Sequence, residues 1–280
     1  MTPAEALGAR GYAPFCAISV LGTIHQLADA SHSKDMADLV TAGRWRGELL
    51  FTLGKIGPPR YANFIGKYRD DPDEQVRTGV AAGLGLIDNE PVAVPVLIHL
   101  LAGNDKDFPV KWEAARSLVA VAKRRPSEGV RRRVVELLRE PSGMTVVLAA
   151  RVLAATGDAR GFEKLRELTS HAERRVREEA VLALGEFADA AAREAVTRRL
   201  KDDSVAVRAS ALYALARIGG AQAVSTLRQA TVEALAYERQ LRARVAPDKQ
   251  EAIKEQYGVG DYDLRETLQE AMALAQAKGH

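Results

Sequence analysis

Between residues 33 and 220 the apolar positions fall at helical spacing, and the pattern itself repeats. The stretch 204–219 shows the unit. Val207, Ala211, Leu215 and Ile218 share one helix face, Arg208 lies near its start and Gly219 follows as a stop. The same offsets return at Val176, Arg177, Ala180, Leu184 and Phe187, and at Val146, Ala149, Leu153 and Gly157. Towards the N-terminus they return at Val110, Lys111, Ala114, Leu118 and Val121, then at Val76, Arg77, Val80, Leu84 and Ile87. The first clear copy is Trp45, Arg46, Leu49, Leu53, Ile56 and Gly57. Six copies thus stand 31 to 35 residues apart. A second amphipathic segment precedes or follows each, at 59–68, 92–101, 130–139, 162–168 and 192–200. The unit is helix, turn, helix, turn. Such a pair cannot bury its apolar face alone, so a period of this size predicts a stack of repeats.

Polar positions repeat too. Asp71 precedes Arg77 by six residues, Asp105 precedes Lys111 by six, and Asp202 precedes Arg208 by six. Two copies depart from this, with His171 before Arg177 and Glu140 before Val146. Over residues 33 to 230 the pattern resembles the short HEAT repeat found in phycobilisome lyases and many bacterial proteins. The resemblance implies an all-α fold, a right-handed α-solenoid of about seven helix-turn-helix repeats. It also implies that the recurring acid and base link adjacent turns of the stack as a ladder. A shared fold does not specify a function.

At this length two globular domains are common, but the repeat count argues for one continuous solenoid of 280 residues. Residues 1–32 are expected to form an N-terminal cap or degenerate repeat, 33–220 the repeats, and 221–280 a helical C-terminal cap. Aromatic residues make up only 5% of the chain, so the core is built from Ala, Val and Leu. The formal charge of +3 is too small to imply a polyanionic partner. Cys16 is the one cysteine, which precludes an intrachain disulfide and suits a reducing cytoplasm. The apolar run at 13–21 is shorter than the roughly 20 residues a membrane span needs, and no signal peptide is read at the N-terminus.

Chemistry-bearing motifs are scarce. His25, His32, His99, His171 and His280 are scattered; none is followed by Glu, and none has a His or Glu at i+3 or i+4. Deoxyhypusine hydroxylases also use HEAT-type repeats but bind metal through His-Glu pairs, and no such pair occurs here. There is no nucleophile elbow, dinucleotide loop or P-loop. Gly79, Gly83 and Gly85 lie within one helix and predict close helix packing. No enzymatic activity, metal or cofactor is expected.

The second helix of each pair is expected to line the concave side. With the basic anchor as zero, offsets +3, +7 and +10 face the core. Offsets +2, +5 and +9 then face outward. They run Glu48, Phe51, Lys55; Gly79, Ala82, Leu86; Glu113, Arg116, Ala120; Leu148, Arg151, Ala155; Glu179, Leu182, Glu186; and Ser210, Tyr213, Arg217. Trp112 lies at their edge. Exposed apolar and aromatic residues with arginine are what protein-binding hot spots use. Phe51, Leu86, Trp112, Arg116, Arg151 and Tyr213 are therefore the candidate partner-binding residues. Arg116 and Arg151, one repeat apart, are expected to hold a partner's carboxylate or phosphate.

This pattern favours a non-catalytic scaffold that grips a protein or peptide partner. The competing reading is a nucleic-acid binder using the Arg-rich first helices around Arg131, Arg132 and Arg133. Interleaved Glu128, Glu136 and Glu140 weaken that basic field. A bilin lyase-type chaperone and a HEAT-like DNA glycosylase are subordinate readings, because no motif beyond the repeat supports either.

Overall fold

A computed structural model describes residues 30–103, 108–124 and 128–218, with helical stretches at 227–229 and 232–233 and single helical positions at 236 and 240. The regular elements among these residues are all helices. The chain forms two compact units, Met1–Glu140 and Pro141–His280, divided at the turn before Pro141. The first holds α1 (Ser33–Thr41), α2 (Arg46–Ile56), α3 (Tyr61–Gly66), α4 (Glu74–Leu86), α5 (Glu90–Ala102), α6 (Phe108–Arg124) and α7 (Glu128–Glu136). The second holds α8 (Gly143–Ala155), α9 (Ala159–Leu168), α10 (Arg174–Glu186), α11 (Arg193–Arg198) and α12 (Val205–Ile218). The caps expected at 1–32 and 221–280 lie outside the described residues, apart from the 3-10 turn Ala30–His32 and the isolated helical positions after 226.

Within each unit the second helices of successive repeats lie side by side. In the first unit α2 packs on α4 and α4 on α6. In the second α8 packs on α10 and α10 on α12. The +3 and +7 positions seal these seams. Leu49, Leu53, Val80, Leu84, Ala114 and Leu118 are fully buried in the first unit, as are Ala149, Leu153, Ala180, Leu184 and Ala211 in the second. Local signals set the helix ends. Asp73, Ser142 and Asp158 each accept a backbone N–H of the first turn they precede. Gly157 closes α8 in the left-handed region at φ 78°.

The expected ladder is built from two kinds of bond. Arg46 donates to the Asp71 carboxylate of the next repeat at 2.5 Å. Arg177 does the same to Asp202 with two parallel bonds of 2.9 and 2.8 Å. Each aspartate also accepts a turn N–H, from Asp73 at 3.0 Å and from Ser204 at 3.1 Å. The base of the same repeat then closes on the aspartate's backbone. Arg77 donates to the Asp71 carbonyl at 2.5 Å and Arg208 to the Asp202 carbonyl at 2.7 Å. Burial pushes the Asp202 carboxyl up, but the Arg177 guanidinium and its other hydrogen bonds outweigh this and hold it below its ordinary value. Lys111, the base of the intervening copy, is fully buried. Asp105 lies outside the described residues.

The two departures in the sequence include one matched pair. Val146 and His171 stand 25 residues apart, the separation of both observed rungs. Base and acid have been replaced together, so neither charge is stranded. His171 keeps the aspartate's second task, because its Nδ1 accepts the Glu173 N–H at 3.1 Å. Arg177 donates to the His171 carbonyl at 3.1 Å, just as Arg208 uses that of Asp202. The imidazole occupies the space beside Gly143, where a Cβ would come within 2.8 Å of its ring.

Glycine sets how closely the helices approach in the first unit. A Cβ at Gly79 would stand 2.1 Å from the Gly47 carbonyl oxygen, and one at Gly54 2.1 Å from that of Gly83. Gly85 meets Ser117 of α6 in the same way. Alanine in a helix interior is favoured over glycine by about 1 kcal/mol. Here the obstacle is backbone, so Gly79→Ala should instead lower stability by about 1–3 kcal/mol. Asp202→Ala should cost about 1–3 kcal/mol, because Arg177 loses its paired bonds and the Ser204 N–H its acceptor, while Asp203 at 2.7 Å still partners the guanidinium. Chemical denaturation checks both, and an unchanged midpoint for either would count against the packing described. The contribution of Asp202 is present above its ordinary value of 3.8 and should be lost only as the pH falls through its lowered native pKa.

Candidate functional site

The side chains that the second helices present to solvent follow the +5 and +9 rows. In the first unit Phe51, Ala82 and Arg116 hold +5, while Lys55, Leu86 and Ala120 hold +9, and all remain at least partly exposed. In the second unit Arg151, Leu182 and Tyr213 hold +5, with Ala155, Glu186 and Arg217 at +9, and again all are accessible. The +2 row does not behave as expected. Gly79, Leu148 and Ser210 are buried, and only Glu48 of that row is exposed. The reason is steric. The +2 position points towards the neighbouring second helix, and close approach of the helices closes over it.

The six candidates divide between the units and are taken separately. In the first, Leu86 is 43% exposed at the end of α4. Phe51 and Trp112 are half-buried. Arg116 is exposed and forks onto Glu113 with bonds of 2.5 to 3.2 Å. Its charge is therefore already partnered one turn away. Arg124 of α6 donates to the Leu86 carbonyl at 2.9 Å, tying the end of α4 to the end of α6.

In the second unit Arg151 is partly exposed and bridges two carboxylates of α10. It donates to Glu186 and lies 3.7 Å from Glu179. Burial pushes the Glu179 carboxyl above its ordinary value, Arg151 opposes this, and Glu178 and Glu186 add to it. Arg217 of α12 donates to the Gly185 and Glu186 carbonyls at 2.9 and 3.1 Å, capping the C-terminal end of α10 where a cation is favoured. It also lies 5.8 Å from the Tyr213 ring centroid, and that ring is 38% exposed. Arg151, Glu179, Glu186, Arg217 and Tyr213 therefore form one network. Sequence reasoning put these residues on one stripe but not into ion pairs, since Arg151 and Glu186 are 35 residues apart.

Elsewhere several first-helix arginines are engaged with acids. Arg131 pairs with Glu128, Arg166 with Asp189 and Arg198 with Glu194. His99 meets Asp70 at 2.7 Å. Among the described residues no group of three or more His, Cys, Asp or Glu side chains could hold a metal ion. No helix among them is long and apolar enough to cross a membrane.

Stacked helix pairs with a recurring acid-base rung define an α-solenoid repeat protein. The HEAT-repeat pattern matches residues 43–119 and 162–246, together more than half of the chain, and the chain belongs to the HEAT-repeat family. No curated protein sequence matches it. Among solved structures it is similar to an engineered protein, with 23% identity, a TM-score of 0.42 and coverage of 78% of this chain and 97% of the other. It is also similar to the phycocyanin lyase complex of Nostoc sp., with 16% identity, a TM-score of 0.44 and coverage of 86% and 95%. Human deoxyhypusine hydroxylase aligns at 16% identity and a TM-score of 0.35, over 98% of this chain and 95% of that one. At these scores the likenesses assign neither partner nor activity.

Because the raised pKa of Glu179 means that its charged form is disfavoured by folding, its ionisation costs stability at neutral pH. That cost is relieved as the pH falls through the raised value towards the ordinary 4.5. Glu179→Gln should therefore stabilise the protein at pH 7 by up to about 1 kcal/mol and have a smaller effect in mild acid. Urea melts of both proteins across that range check the sign. A benefit that grows on acidification would contradict it.

Proposed function

We propose that this HEAT-repeat protein is a non-catalytic scaffold that holds a protein or peptide partner on the faces of its second helices. One observation carries the reading. Two of the large hydrophobic side chains left exposed among the described residues, Leu86 and Tyr213, stand on the accessible +9 and +5 rows of those helices. The core offsets beside them are sealed. An exposed large apolar residue in an otherwise well-sealed row is what an interface anchor looks like before its partner arrives. Phe51, Trp112 and Arg116 extend the face in the first unit, and Arg151 in the second. The nucleic-acid reading is weaker, since acids accompany many of the first-helix arginines.

Affinity capture from cells, with the retained proteins identified, tests this. Phe51→Ala combined with Tyr213→Ala should reduce recovery of the specific partner at least about tenfold while leaving the helical signal intact. Combined Arg131→Glu, Arg132→Glu and Arg133→Glu should leave it unchanged. The opposite pattern, with retention lost to nuclease treatment or to modest salt, would replace the scaffold by a polyanion binder.

A further inference from the structure

The two faces differ in chemistry, and the difference indicates what the first one receives. In the second unit the accessible charges answer one another: Arg151 holds Glu186 and faces Glu179, and Arg217 is committed to the end of α10. In the first unit the rows are apolar around Leu86. α2 comes close to α4 at Phe51 because Gly83 lacks a side chain; a Cβ there would stand 2.5 Å from the carbonyl oxygen of the preceding Leu50. The Arg124 bond to the Leu86 carbonyl and the Gly85–Ser117 contact bring α6 up on the other side. Phe51, Ala82, Leu86 and Ala120 therefore line the +5 and +9 rows of adjoining helices, with Leu86 the most exposed.

Cations border this apolar stretch at the C-terminal ends of the helices. Lys55 ends α2, and Lys123 and Arg124 end α6, all three exposed. Asp88, just beyond α4, is the opposing exposed acid there. The excess at that rim is positive. Helix C-termini alone favour cations, so the bias has a structural component. That component does not explain why the uncharged Leu86 sits between them on the exposed side.

Resting on the scaffold reading above, we infer that the first unit's face docks an acidic amphipathic segment of a partner protein. An apolar side chain of that segment lies on Phe51, Ala82 and Leu86. Carboxylates within one helical turn of it face Lys55 and Lys123, giving a hydrophobic anchor with an electrostatic register.

Selection from a library of displayed random peptides, each long enough for three helical turns, tests this with the whole chain as bait. The enriched peptides should pair Leu, Ile, Phe or Met with Asp or Glu within one turn. Synthetic versions should bind Leu86→Gln at least about tenfold more weakly than the unaltered protein. Combined Lys55→Glu and Lys123→Glu should weaken binding several-fold and flatten its salt dependence. Melting temperatures of all variants are measured alongside, and Phe51→Ala serves as the second probe should Leu86→Gln alter folding. Enriched peptides that are basic, or whose binding survives Leu86→Gln but fails with Tyr213→Ala, would overturn this inference and leave the scaffold reading standing. Selection that yields no peptide sensitive to a change on either face would overturn both.

Discussion

Two rungs among the described residues are each an arginine reaching across 25 residues to an aspartate that is itself building a turn. A buried ion pair in isolation is a doubtful source of stability, because desolvation offsets much of the attraction. The rung changes that balance by giving the aspartate several partners at once. Asp202 accepts two bonds from Arg177 and one from the Ser204 N–H, while its backbone carbonyl accepts Arg208. The rung therefore specifies register. A slip of one residue would leave both a guanidinium and a carboxylate unpaired in a closed space. The Val146–His171 pair shows the same constraint from the other side. Both charges are absent together, and the imidazole nitrogen retains the turn bond.

With register set by the rungs, distance is set by small residues. Gly47, Gly54, Gly79 and Gly83 let α2 and α4 meet backbone to backbone, and the second unit does likewise where Gly185 meets Ala214. This proximity buries Gly79, Leu148 and Ser210 of the +2 row and leaves +5 and +9 as the accessible rows. A surface made this way is narrow, and it places side chains from successive repeats beside one another.

Those rows carry unlike chemistry in the two units. One is apolar around Leu86 with Lys55 and the Glu113-paired Arg116 to either side, the other a network of arginines and glutamates with an exposed tyrosine. A partner gains most where water is released from an apolar anchor, and least where its charges must displace existing ion pairs. Arg151 in particular has structural work to do, because it neutralises the largely buried Glu179. Its loss would be felt in the fold as well as in recognition.

The repeat period, the core offsets, the acid-base ladder and the helix order were all legible in the sequence. They follow from local rules, namely helical periodicity and a fixed spacing between copies. The partition into accessible and buried faces was legible at +5 and +9 but not at +2, because glycine-mediated approach is a property of two helices together. The Arg116–Glu113 pair lies within one turn and could be anticipated, whereas Arg151–Glu186 joins residues 35 apart and could not. Sequence marked His171 as a departure from the ladder. Only the fold showed that its ring fills the space beside Gly143 and that its ring nitrogen does the aspartate's work in the turn. Periodicity determines which residues face the same way. Which of them touch depends on how closely the helices pack, and that distance is set by contacts far apart along the chain.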